Sequence, residues 1–346
     1  MEQENKPKYY AEEIEKDTRY RQEYLDGANR FFYEQYNKAA QDRDQFITPE
    51  QYKANPEYYR EALKKMLGFP LNLPIETPIL SEKTFVAQDG DVNIYRMQLT
   101  FFGYLKYYGI YFERVDATKD TPFVLSFHGG WGTPELVSSI IMDGGNYLHQ
   151  TRRMNERGAN VFAPQLMLWD VTTFGNAYDR IHVDGKMRQL DGSMTALEVY
   201  LLMGCISYFI EAGIAPEDRV GVVGLSYGGM YAVHLAAVDT RIKACYSCSW
   251  FNRAFDHSWG DWSYRNAAKT FTSVETAAMI APRPLFIAMG DNDNLFDSKV
   301  TEEEYQRLVP YYRVFGAEDQ CKLRIFPGVH EQDKEDYGFD FLIQHL

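Results

Sequence analysis

The chain has 346 residues, with 49 acidic against 36 basic side chains and a formal net charge of −13. That length allows one large α/β domain of about 250 residues plus an appendage. The negative field argues against nucleic acid or an anionic membrane as partner, because it would repel both. A small uncharged or cationic molecule fits it better.

The N-terminal Met1-Glu-Gln-Glu-Asn-Lys-Pro7 is charged and lacks an apolar core, so it does not read as a secretory signal. No apolar run is read as approaching membrane-spanning length, and a cytoplasmic location is expected. Residues 1–56 are polar and rich in Glu, Lys, Gln and Tyr, with Tyr24, Phe31, Phe32 and Tyr36 recurring near helical spacing. They predict a helical extension with breaks at Thr48-Pro49 and Asn55-Pro56. It would serve as a lid, as an arm for a homo-oligomer, or as a packing brace, the last being preferred. The segment from Glu57 to Pro70 is a short helix with Gly68 and Pro70 as stop signals, opening a domain over 57–346.

Between Thr84 and Val115, β-branched and aromatic runs punctuated by Asp89-Gly90-Asp91, Gly103 and Gly109 predict antiparallel strands. From Pro122 onward strands alternate with helices, as a parallel sheet requires. The strands are 123–127, 161–163, 220–223, 244–248, 285–289 and 322–326; helices start at Glu135, run from Met194 to Ala212, and close the chain from Tyr337. The fold class is therefore α/β, with a mostly parallel sheet, antiparallel strands at its start, helices on both faces and an N-terminal helical extension. Four cysteines, at 205, 245, 248 and 321, form no dense disulfide framework. Cys245 and Cys248 lie on one predicted strand, where positions three apart face opposite ways, so they read as core residues rather than a redox or metal pair.

The chemistry centres on Gly224-Leu-Ser226-Tyr-Gly228-Gly229, a G-x-S-x-G between a buried strand and a small-residue helix. At such a turn the serine hydroxyl projects from the sheet's carboxyl edge over the helix N-terminus. A serine needs a base, and the base a carboxylate to set its tautomer. His330 follows the last strand behind Gly328-Val329, and Asp293 lies just past the preceding one. The order Ser, Asp, His, each after a strand, is that of α/β-hydrolases. Asp291 and Asp297 compete with Asp293 for the acid role, as do Asp256 and Asp261 after the previous strand. His128-Gly129-Gly130-Trp131-Gly132 reads as an oxyanion loop, with donors from the amide of Tyr227 and from that of Gly130 or Trp131. The tryptophans, at 131, 169, 250, 259 and 262, all fall after predicted strands. Trp131, Trp250 and Trp262 are candidate substrate-binding residues, with packing as the alternative reading.

His128-Gly-Gly, Gly224-Leu-Ser226-Tyr-Gly228-Gly229, Ile280-Ala-Pro-Arg-Pro284-Leu and Gly328-Val-His330 together resemble the acetyl xylan esterase and dienelactone hydrolase-like branch of the α/β-hydrolases. The resemblance spans roughly residues 57 to 346. It implies hydrolysis of acetyl or other small acyl esters, often on carbohydrates, through Ser226, Asp293, His330 and the oxyanion amides, with neither cofactor nor metal. The insert over 165–192, with Trp169, Asp170 and Asn176, matches no pattern of that group. Two other functions are weighed: a serine peptidase of prolyl oligopeptidase-like type, whose elbow is similar, and a non-catalytic binding protein on a hydrolase scaffold.

Overall fold

The computed structural model describes residues 14–141, 143–168, 179–257 and 259–346. The polar N-terminal segment forms α1 (Ile14–Phe46), α2 (Pro49–Ala54) and α3 (Pro56–Leu67). Thr48 separates the first two by a reciprocal cap. Its hydroxyl accepts the Gln51 N–H at 3.2 Å while the Gln51 side chain accepts the Thr48 N–H at 2.8 Å. Asn55 does the same work before α3, accepting the Tyr58 N–H at 3.3 Å.

An antiparallel meander follows, of β1 (Ile79–Asp89), β2 (Val92–Phe101) and β3 (Leu105–Arg114). β1 begins at Ile79 rather than Thr84. It is an edge strand exposed along almost its whole length, so it carries no apolar alternation that would mark its start. Beyond it come β4 (Phe123–Phe127), α4 (Pro134–Val137), α5 (Gln150–Glu156), β5 (Asn160–Pro164), α6 (Arg180–Arg188) and α7 (Met194–Glu211). The chain then continues as β6 (Val220–Leu225), α8 (Tyr227–Val238), β7 (Ile242–Cys248), α9 (Ser273–Ala278), β8 (Leu285–Gly290), α10 (Ser298–Arg313), β9 (Cys321–Phe326) and α11 (Tyr337–Gln344). The single helix expected from Glu135 is instead α4 and α5, parted by left-handed backbone at Ser139, Leu148 and His149.

The nine strands make one sheet in the order β1-β2-β3-β5-β4-β6-β7-β8-β9. β5 is antiparallel to β3 and parallel to β4, and every pairing from there to β9 is parallel. Period-two burial splits the strands between two cores. Phe123, Leu125, Val220 and Val222 face the larger one with α7, α8 and α10, while Val124, Val223 and Leu225 face the smaller one with α5 and α11. Cys245 joins the first and Cys248 the second, and all four cysteines are buried and unpaired.

One expectation needs correction. α7 is long and apolar enough, by length and composition, to cross a membrane, but most of it is buried against the sheet and its neighbours. A helix apolar all round is what the middle of a large core requires. The second half of the extension packs into the same core as the rest of the chain, through Ile47 and Tyr52. Tyr52 is wholly buried, and its hydroxyl donates to the carbonyls of Met279 at 2.9 Å and Ala281 at 3.1 Å. Arg43, equally sequestered, meets the Glu275 carboxylate at 3.3 Å and the Ala268 carbonyl at 2.8 Å. The first half of α1 is different: Tyr20, Tyr24, Leu25 and Phe31 are exposed.

The two halves of the extension should respond oppositely to truncation of a side chain. Tyr52→Ala is expected to lower unfolding free energy by about 3–5 kcal/mol, as loss of a buried aromatic ring does. Leu25→Ala should stay within about 0.5 kcal/mol of the parent. Urea denaturation of both variants tests this, and similar values would show that the extension is not divided as described.

Candidate active site

Ser226 sits between β6 and α8 with φ 60° and ψ −122°, a backbone state that L-residues avoid. Its N–H donates to the Cys248 carbonyl at 2.9 Å, tying the turn to the end of β7. Glycines flank the serine because backbone passes through the space a Cβ would need. A Cβ on Gly228 would lie 2.3 Å from the Phe127 carbonyl oxygen, and one on Gly224 would lie 2.2 Å from Gly228 itself. Ser226 is 7 % exposed, and no hydrogen bond joins its hydroxyl to the His330 ring. Such bonds are often loose in unliganded sites.

The loop after β8 brings Asp293 to His330. The imidazole Nδ1 and a carboxylate oxygen are 2.8 Å apart, with the Asp293 side chain wholly buried. The other oxygen of Asp293 accepts the N–H groups of Leu295 at 2.8 Å and Phe296 at 3.1 Å. Burial alone would raise its pKa; the His330 bond and the two amides outweigh it and hold the carboxyl below its ordinary value. Because a carboxylate only accepts, Nδ1 carries the proton and Nε2 is left basic. The competing acids are engaged elsewhere. Asp291 accepts the Gly328 N–H at 3.1 Å, Asp297 caps α10, Asp256 accepts the Tyr33 hydroxyl at 2.8 Å, and Asp261 belongs to a buried network described below.

Asn146 and Tyr147, in a short 3₁₀ turn over Gly145–Tyr147, connect the His330 loop to the loop after β4. The Asn146 side chain donates to the His330 carbonyl at 3.1 Å, and the Tyr147 hydroxyl accepts the Gly129 N–H at 2.9 Å. Gly129 is thereby satisfied, whereas the amides of Gly130 and Trp131 have no partner among the described residues. His128, which opens this loop, is fully buried. Its Nε2 accepts the Leu166 N–H at 3.0 Å, so the proton is on Nδ1, 2.8 Å from the Gly129 carbonyl. Burial pushes its pKa down to about 4 against the opposing pull of that carbonyl. The ring is a neutral clamp, and nothing in the sequence distinguished it from a catalytic histidine except its place.

Behind the serine turn lies an ionic network that sequence reading missed. Arg180, wholly buried at the start of α6, reaches Asp261 at 2.6 Å, Glu198 at 3.1 Å and the Tyr231 hydroxyl at 2.7 Å. Tyr231 in turn donates to Glu198, and Tyr227 donates to Asp261 at 3.0 Å. Burial would lower the Arg180 pKa, but Tyr231, Glu198 and Asp261 raise it further, so the cation persists. Tyr227, the residue after the serine, is thus anchored by its side chain as well as its helix.

The tryptophans divide. Trp250 and Trp262 are buried, Trp262 against Tyr227 with ring centroids 4.6 Å apart and Trp259 stacked on the same tyrosine at 5.9 Å. Trp131 is 70 % exposed, and Trp169, Asp170 and Asn176 lie outside the described residues. Of the three tryptophans expected as substrate-binding residues, Trp131 on the loop after β4 is the exposed one, while Trp250 and Trp262 are enclosed.

No family model matches the chain. It is 26 % identical over 271 residues to the provisionally assigned hydrolase YtaP of Bacillus subtilis (strain 168), covering 75 % of this chain and 89 % of that protein. Among solved structures, a provisionally assigned acetyl xylan esterase of Bacteroides fragilis NCTC 9343 superposes with a TM-score of 0.69 at 15 % identity, covering 89 % of this chain and 88 % of the other. A glucuronoyl esterase from Solibacter usitatus gives 0.64 at 13 % identity, with 86 % and 93 % covered. The chain has the α/β-hydrolase fold.

Two tests follow from the buried charges and rings. Arg180→Met leaves two carboxylates without their cation and should cost about 3–5 kcal/mol in urea denaturation at neutral pH; a neutral result would mean the network is dispensable. His128 and His234, both buried with pKa lowered to about 4, bind protons more weakly folded than unfolded. Their contribution is complete above about pH 6.5 and declines toward pH 4, by about 1.4 kcal/mol per pH unit for each ring. Denaturation midpoints across that range should fall with pH, and His234→Gln should flatten the slope.

Proposed function

We propose that this chain is a serine carboxylesterase for short acyl esters, acetyl foremost. Ser226 is the nucleophile, His330 the general base and acid, and Asp293 the residue that orients it. The observation that carries the reading is the 2.8 Å bond from a buried carboxylate to His330 Nδ1, in a chain that also holds Ser226 in a strained strand-to-helix turn. Similarity to esterases and to a hydrolase supports it.

In the reaction, Ser226 Oγ bonds to the ester carbonyl carbon while its proton passes to His330 Nε2. The carbonyl oxygen becomes an oxyanion, which the Tyr227 amide at the α8 N-terminus and the Gly130 or Trp131 amide stabilise. Each such donor is worth about 10²–10³ in turnover. The C–O bond to the alcohol breaks as Nε2 returns the proton to it, leaving an acyl-serine. Water then attacks with Nε2 as base, releasing the acid and the free serine. Asp293 keeps the imidazolium paired throughout, and its lowered pKa keeps it ionised at neutral pH. The alcohol released is a sugar or an aryl alcohol.

A fluorophosphonate probe should label the parent chain once, read by intact mass, and leave Ser226→Ala unlabelled. Hydrolysis of p-nitrophenyl acetate should fall about 10³-fold or more in Ser226→Ala and His330→Ala, and about 10²- to 10⁴-fold in Asp293→Asn. Asp291→Asn should stay close to the parent. kcat/KM should decline from acetate through butyrate to octanoate; an optimum at octanoate, or faster cleavage of aminoacyl amides, would overturn the assignment.

A further inference from the structure

Between α1 and the loops after β7 lies a cavity of about 420 Å³, within the size range of small-molecule sites. Phe32, Tyr36 and Ala39 of α1 form one wall, and Trp250, Ala254 and Trp262 contribute to the facing one. Phe296 also lines it. The same ring lies 5.8 Å from the His330 ring and stacks on Trp262 at 6.1 Å. One aromatic side chain thus touches both the cavity and the histidine.

The lining is nearly without charge. Among the described residues it includes no carboxylate, and its one cation, Lys269, pairs with Asp42 at 2.9 Å. His234 bonds the Met230 carbonyl through Nδ1 at 2.9 Å, and burial lowers its pKa to about 4 against the pull of that carbonyl. His257 is likewise lowered by burial, against Asp256 and Asp293. Asn252 gives its side-chain N–H groups to the Asp297 carbonyl at 2.8 Å and the Thr301 hydroxyl at 3.1 Å, and Tyr264 donates to Thr195 at 2.8 Å. The Tyr36 hydroxyl has no partner among the described residues, while its ring stacks on Phe255 at 4.2 Å. A charged occupant would lose its hydration here with no free opposite charge to replace it, only single donors such as the Trp262 indole N–H and the Tyr36 hydroxyl. A flat uncharged ring would meet faces and edges of other rings on both walls.

We propose that this cavity binds an uncharged aromatic group, with α1 as its outer wall. The site stands on its lining and not on the esterase assignment. Two sources share the chemistry: the aryl alcohol portion of a substrate, reaching past Phe296 from His330, and a separate aromatic ligand.

The test uses the full chain and the uncharged fluorophore N-phenyl-1-naphthylamine. Binding should saturate, draw energy transfer from tryptophan, and persist in Ser226→Ala, which separates it from failure of the catalytic reading. Ala39→Trp and Ala254→Trp fill the cavity from opposite walls, and each should weaken binding about tenfold or more. Thermal melts show which variant has folded, and one is sufficient. On the parent chain, 2-naphthol should displace the probe at about one tenth the concentration that the anionic 2-naphthoate requires, or less. Failure to saturate, undiminished binding in a folded filled variant, or equal displacement by the anion would overturn the proposal. The source is read from esters: a loss of kcat/KM in Ala39→Trp for 2-naphthyl acetate but not methyl acetate assigns the cavity to the substrate, and no loss for either assigns it to a separate ligand.

Discussion

The constraint on which everything near the site depends is the closeness of three backbones at the carboxyl end of the sheet. β4, β6 and β7 run parallel, and α8 begins directly against them. Gly228 lies so near the Phe127 carbonyl, and Gly224 so near Gly228, that neither position has room for a side chain. Ser226 is forced to positive φ by that approach and held there by its N–H bond to Cys248. The strain at one residue is therefore sustained by strand pairing and helix packing spread over the core, which is how a locally unfavourable geometry survives in a folded chain.

The second organising feature is that positive and negative charge are brought fully inside the protein just behind this turn. Removing ions from water is costly, and a pair rarely recovers that cost from attraction alone. Here two carboxylates share Arg180, leaving one negative charge in excess. The hydroxyls of Tyr227 and Tyr231 and the Met167 N–H supply the missing donors. What the arrangement does is join α6, α7, α8 and the turn over Gly260–Trp262 by directional bonds, where apolar packing would allow sliding. Tyr227, whose amide faces the reacting carbonyl in the proposed mechanism, is one of the residues so joined.

Where periodicity was strong, the sequence was readable. β4, β6 and β8 appear as short apolar runs, and the breaks at Thr48 and Asn55 carry their caps in plain view. The proximity of Asp293 and His330 followed from chain order, because successive parallel strands end at one edge. β1 was blurred because an edge strand with both faces wet has no alternation to detect. The role of Tyr147 in holding Gly129, and of Asn146 in holding the His330 loop, rests on left-handed residues in an irregular stretch, where no period exists. Arg180 was invisible for another reason. A charged residue reads as surface until its partners, 18 and 81 positions away, are known.

The cysteines carry one last consequence. Cys245 and Cys248 look outward from opposite faces of β7 into separate cores, and Cys205 and Cys321 are equally enclosed. Burial pushes the thiols of Cys248 and Cys321 up to about 12, so almost none is ionised at neutral pH. A thiol-modifying reagent then has no route to sulfur through the closed protein. Each modification records an opening event, and Cys248, whose carbonyl restrains Ser226, reports on the stretch of strand that keeps the serine turn in place. The four sulfurs form a set of internal clocks, distributed over both sides of the sheet, for how often this architecture lets go.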